Sequence, residues 1–206
     1  MILTYHGAGM IKISHGDWVA VFNPIGQKSE LKPNRFGADL ALVSLNDPLY
    51  NGVAELVFGE RQPFIIDGPG EYERLGTFIH GLATAGPNGK INTVYSLTVD
   101  GKNLVHLGAL IDPELPPVAK EELGTADILF VPLGDSATGG LIPRAAYQLA
   151  LTLNPHLIIP VNYTAETLKQ FIKEAGAENQ PALDKLVIKD KDLTAKEGEL
   201  AVLAAS

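Results

Sequence analysis

The side chains of this sequence with the widest chemical reach are its five histidines, His6, His15, His80, His106 and His156. An imidazole can ligate a metal or carry a proton near neutral pH. Metal cages, however, need spacings such as H-x-H or H-x-x-E-H, which aim two donors at one point. No two of the five histidines stand at such a spacing, so they read as strand or turn residues held by hydrogen bonds. The chain has no cysteine, which removes thiolate zinc sites, disulfides and a cysteine nucleophile. Ser136 lies in the glycine-rich run Gly134-Asp135-Ser136-Ala137-Thr138-Gly139-Gly140, just before a helical segment. Such a run can hold phosphate at a helix N-terminus. This one lacks the lysine of a P-loop, and its serine has no G-x-S-x-G elbow. Asp67-Gly68-Pro69-Gly70-Glu71 reads as a sharp structural turn.

The elements that must position these groups are mostly short strands. Ile2–Tyr5, residues 10–14 and Trp18–Phe22 are β-rich runs separated by glycine turns at 7–9 and 16–17. Residues 38–44 (ADLALVS) form an apolar run of the buried-strand type. Phe64–Ile66 and residues 77–79 follow. Residues 93–99 and 103–107 flank Asp100-Gly101 and predict a hairpin. Helices are expected over 116–123, Pro143–Leu153 and 164–175, the last opened by Thr164 and Thr167 as a capping pair and closed by Gly176. Between them, 127–132 and 156–161 are buried strands, and 186–188 and 199–203 are late strands. Two sheets covered by helices fit this order better than one doubly wound sheet. A single domain over 1–206 is expected, with two similar halves, roughly 1–88 and 89–206, and a seam near 86–90.

Composition bounds the partners. The 206 residues are 46% hydrophobic and 19% charged, enough for one sizeable core. The formal net charge of -8 repels phosphate backbones and disfavours nucleic acid. Lys185, Lys189, Lys191 and Lys196 cluster, but Asp184, Asp190, Asp192 and Glu197 interleave with them, so the segment reads as a mixed solvated surface. No basic start with a long apolar stretch opens the chain, and no apolar run reaches membrane-span length. A cytoplasmic protein is the expectation. A homo-oligomer is left open, and no partner is named by the sequence.

Six segments carry a further signal: Thr4-Tyr5-His6-Gly7-Ala8-Gly9, Phe22-Asn23-Pro24, residues 38–44, Asp67-Gly68-Pro69-Gly70-Glu71-Tyr72-Glu73, His106-Leu107-Gly108 and Ile158-Ile159-Pro160-Val161-Asn162-Tyr163. In this order, along nearly the whole chain, they resemble the small metallo-β-lactamase-fold hydrolases, the group that includes ascorbate-lactonase-like proteins. The resemblance implies an α/β (α+β) fold, a four-layer αβ/βα sandwich of two mixed sheets face to face with helices outside. It also implies a zinc site built on an S-H-x-H-x-D-H loop, an H-x-G-D strand end and a late histidine. Aligned on Ser44, those ligand positions hold Leu45, Asp47, Leu49 and Tyr50; the later ones hold Ala109 and Asn162. The stretch 81–89 has no imidazole where the family has one.

Leucine and alanine cannot ligate a metal, so the expectation is a family scaffold with a vestigial site, no catalytic residues and no cofactor. It would serve ligand binding or protein interaction, because a fold does not carry activity without its site. His6, Asn46, His106, Asp112 and Tyr163, with Asp47 and Asn162, would face the emptied pocket. There they would either fill it or bind a small ligand by hydrogen bonds. The alternative is a metal-dependent hydrolase with a relocated zinc site built from His6, His106, Asp47 and Asp112. It requires at least two of these to meet. A ribonuclease-like reading runs against the acidic charge and the missing ligands.

Overall fold

Alternation along the strands decides the architecture. The computed structural model describes residues 1–29, 31, 35–178, 180–189, 191–193 and 196–206. In chain order its elements are β1 (Ile2–Tyr5), β2 (Ile11–His15), β3 (Trp18–Phe22), β4 (Leu40–Leu42), β5 (Phe64–Ile66), β6 (Gly70–Arg74), β7 (Thr77–Ala85), β8 (Ile91–Val99), β9 (Lys102–His106), α1 (Pro117–Leu123), β10 (Ile128–Pro132), α2 (Pro143–Leu153), β11 (Leu157–Val161), α3 (Ala165–Glu174), β12 (Ala182–Leu183), β13 (Leu186–Val187), β14 (Glu199–Leu200) and β15 (Val202–Leu203). They form a six-stranded sheet, β13-β1-β2-β3-β4-β5, and a seven-stranded sheet, β14-β11-β10-β9-β8-β7-β6, with β12 and β15 paired apart. Both large sheets are mixed: hairpins make one part antiparallel, and crossovers make β3-β4-β5 and β9-β10-β11-β14 parallel.

The period of two sends alternate residues to opposite faces. Leu40, Leu42, Ile128, Phe130, Leu157 and Ile159 point between the sheets and form the central core. Leu129, Val131 and Ile158 point the other way, under Ala119 of α1, Ala146 and Leu149 of α2 and Phe171 of α3. α2 starts with Pro143 in its first turn and ends at left-handed Asn154. α3 carries the expected Thr164–Thr167 capping box. The two-residue turn Asp100-Gly101 joins β8 to β9 with positive φ at both positions.

The expected sandwich is present, with a one-sided helical coat. The outer face of the six-stranded sheet, including Met10, Val21 and Ala41, is covered by the 3-10 turn Val53–Leu56 and by loops. Two further features correct the sequence expectation. The seam at 86–90 is an ordinary turn between neighbouring strands of one sheet, β7 and β8. The chain changes sheets earlier, between Ile66 and Gly70. The segment read only as a turn there runs on into β6, which pairs with β7 along its whole length. Of the mixed charge cluster, Asp190 lies outside the described residues; Lys196 pairs with Glu199, and Asp192 accepts from the Lys189 amide. Among the described residues no helix is long and apolar enough to cross a membrane.

Candidate functional site

The loop after β4 reaches across to the second sheet. The Ser44 amide donates to Asn23 Oδ1 at 2.8 Å, and the Ser44 carbonyl accepts from the Thr93 amide of β8, also at 2.8 Å. From the next residue on, Leu45 and Tyr50 are buried against Ala109, with half-buried Leu49 beside them. These four side chains, from both sheets, make an apolar plug. Gly139 closes it: a Cβ there would lie 2.9 Å from the Ala109 methyl. The Gly139 carbonyl accepts from Asn162 Nδ2 at 3.0 Å and from the Tyr50 hydroxyl at 3.4 Å. Burial pushes the Tyr50 phenol well above its ordinary pKa, so it serves as a neutral donor.

Below the plug lies a buried polar brace. His106 Nε2 faces the Gly9 carbonyl at 2.9 Å, and Nδ1 accepts from the Gly108 amide at 2.9 Å. Nε2 therefore carries the proton, and neither nitrogen is left for a metal or for base catalysis. Burial between Phe22 and Phe130 lowers the His106 pKa to about 3. Asn92 donates to the Leu107 carbonyl and to Thr84, and accepts from the Ala109 amide at 2.7 Å. Gly108, at φ +67°, passes so close that a Cβ would sit 2.3 Å from Asn92 Oδ1. Beside it the Ser44 hydroxyl is buried with no hydrogen-bond partner among the described residues.

The other sequence-selected residues go to three different places. Asp47 turns outward to Lys90 Nζ at 3.1 Å and accepts from the Leu49 amide. Asn46 is exposed and accepts from Asn51. Asp112 accepts from the Glu114 amide and lines a separate groove with Ile91 and Leu115. His6 lies near Ser206 and tilts over Phe36; burial first, then the nearby Lys12 charge, lowers its pKa. Tyr163 packs on the Tyr5 ring, donates to the Leu203 carbonyl, and has its pKa raised by burial. His6, His106, Asp47 and Asp112 thus have separate partners. Among the described residues no three His, Cys, Asp or Glu side chains converge on one point.

Zinc, which the resemblance implies, does not fit this donor set: Leu45, Leu49 and Ala109 offer no donor atom, Tyr50 and Asn162 are bonded to the Gly139 carbonyl, and Asp47, a lone carboxylate, is paired with Lys90. The glycine-rich run 134–140 does not cradle an anion either. Asp135 accepts from the Ala137 and Thr138 amides, and its own carbonyl accepts from those of Gly139 and Gly140. Beside the plug, Leu49, Asn162 and Tyr163 line a groove of about 560 Å³. Sequence reading missed Asn23 and Asn92, the two amides that tie the site together. Their signal was there: each is a polar residue beside or within an apolar strand run.

A sequence profile described as the beta-lactamase superfamily domain matches residues 2–162. A search of curated protein sequences finds no match. Among solved structures, the chain is similar to a candidate Zn-dependent hydrolase of the metallo-beta-lactamase superfamily from Thermotoga maritima. The identity is 25% and the TM-score 0.76, over 98% of this chain and 97% of that one. It is similar to a metallo hydrolase from the archaeon Ignicoccus hospitalis at 16% identity and TM-score 0.59, over 91% and 99%. It is also similar to the metallo-beta-lactamase fold protein YhfI from Bacillus subtilis at 10% identity and TM-score 0.63, over 99% and 97%. The last two likenesses speak to the fold alone.

Proposed function

The chain belongs to the beta-lactamase superfamily, and from that premise we propose that it works without the family's metal, as a scaffold that binds a ligand or another protein rather than as a hydrolase. One observation carries this reading: Leu45, Leu49, Tyr50 and Ala109 are packed on one another where the family places donors. Lodging a cation there would strip its water and offer in return leucine and alanine side chains and a phenol already bonded to the Gly139 carbonyl. The phenols that line the groove, Tyr5 and Tyr163, have their pKa raised by burial. The groove itself has the size of a small-ligand site, for which about 300–1,000 Å³ is typical.

The test is metal content. Protein produced with added zinc, manganese and iron and then mildly dialysed should hold well under one equivalent of any of them. Its unfolding midpoint should not move with a chelator. Stoichiometric metal bound at the 44–50 loop would overturn the proposal.

A further inference from the structure

β6 is one of the two edge strands of the seven-stranded sheet and, among the described residues, pairs with β7 alone. The connection is the two-residue turn at Leu75 and Gly76, so Arg74 and Thr77 form the closing pair and exchange both hydrogen bonds. Alternate pairs do the same. Gly70, Tyr72 and Arg74 therefore spend their backbone groups on β7, while Glu71 and Glu73 present N–H and C=O to the open edge. Both glutamates are exposed, and among the described residues neither has an ion-pair partner. Directly opposite Glu73, on the same face, is Phe78, 68% exposed. At the tip, Leu75 is 38% exposed and held at φ 56°.

An edge guarded only against aggregation needs charge or brevity. It has no need of a bare phenyl ring beside the charges. Nor does it need a leucine in a left-handed position that asparagine or glycine fills with less strain. We propose that β6 is a docking edge for an extended basic segment of another protein. That segment adds as a strand, with Lys or Arg facing Glu71 and Glu73 and apolar residues between them. The aliphatic stems of those cations cover Phe78. A second copy of this chain is the poorer occupant. Side-chain parity in a two-fold antiparallel pairing sets glutamate against glutamate, which is destabilising. This edge does not depend on the metal-free reading of the groove, and either can fail without the other.

The test is fluorescence anisotropy with a labelled alternating peptide, Lys-Val-Lys-Val-Lys-Val-Lys. The controls are its Glu-for-Lys counterpart and a block peptide, Lys-Lys-Lys-Lys-Val-Val-Val. The alternating basic peptide is expected to bind saturably and to slow amide exchange at Glu71 and Glu73. The acidic counterpart should not bind. The double variant Glu71→Lys, Glu73→Lys should reverse that preference, and Phe78→Ser should weaken binding by about tenfold. Both variants alter only exposed side chains, and an unchanged unfolding midpoint shows that they fold. The proposal is overturned by no saturable binding below about 1 mM, by equal binding of the block peptide, or by an unchanged preference in the double variant.

Discussion

His106 in the polar brace and Leu45 in the plug above it answer to different physics. The His106 ring is fully buried and neutral, with a pKa of about 3 against an ordinary 6.5. The unfolded chain takes up that proton below about pH 6.5, and the folded chain does not until near pH 3. The stability linked to this group is therefore complete above pH 6.5 and is lost as the pH falls. The loss is about 3 kcal/mol between pH 6.5 and 4, at about 1.4 kcal/mol per unit. His106→Gln keeps a donor for the Gly9 carbonyl and an acceptor for the Gly108 amide without titrating. Urea unfolding across that range should show a shallower decline for the variant; matching slopes would rule this out. Leu45 is 2% exposed and packs as core. Leu45→Ala should cost about 2–4 kcal/mol, the range for emptied core positions. A cost near zero in the same titrations would mean that the loop does not belong to the core.

Among the elements, the β6–β7 hairpin is the one built against local preference. Both turn residues have left-handed φ, 56° at Leu75 and 69° at Gly76, and the first position suits asparagine. Leu75→Asn should stabilise the protein by about 1 kcal/mol, read as a rise in the unfolding midpoint. A fall would mean that the Leu75 side chain packs in the folded state more than its exposure indicates. This hairpin was also the element least legible in the sequence. Asp67-Gly68-Pro69-Gly70 is strong punctuation, and it hid the strand that starts at its last glycine. β7 runs to Ala85, well past the 77–79 run, because pairing with both β6 and β8 sustains it through Gly81. Elements with their own signals were read almost to the residue: α3 through its capping box, β8–β9 through Asp100-Gly101, β10 through its unbroken apolar run.

For the whole molecule, the order of strands and helices could be read because burial imposes a period that the sequence cannot disguise. From Ser44 onward the sequence names the residues of the loop, but not how they pack. That Tyr50 and Asn162 both bond the Gly139 carbonyl depends on three loops far apart in sequence, as does the outward turn of Asp47 to Lys90. Side-chain direction in loops is settled by tertiary packing and leaves no periodic trace. Among the described residues the helices outside the sandwich lie over one sheet, for a similar reason. Between β4 and β5 the structure has only the 3-10 turn Val53–Leu56, and such a short turn covers less than a helix.

That one-sided coat makes the two walls of the plug mechanically unequal. Ala109, Gly139 and Asn162 hang from the sheet backed by α1, α2 and α3, whereas Leu45, Leu49 and Tyr50 hang from the sheet backed, among the described residues, by the 3-10 turn Val53–Leu56 and loops. Segments with fewer buried apolar contacts open at lower free energy. The plug therefore works like a jaw with one fixed and one yielding side. The 44–50 loop is therefore the wall expected to yield first, and the helix-backed wall the one expected to keep its shape.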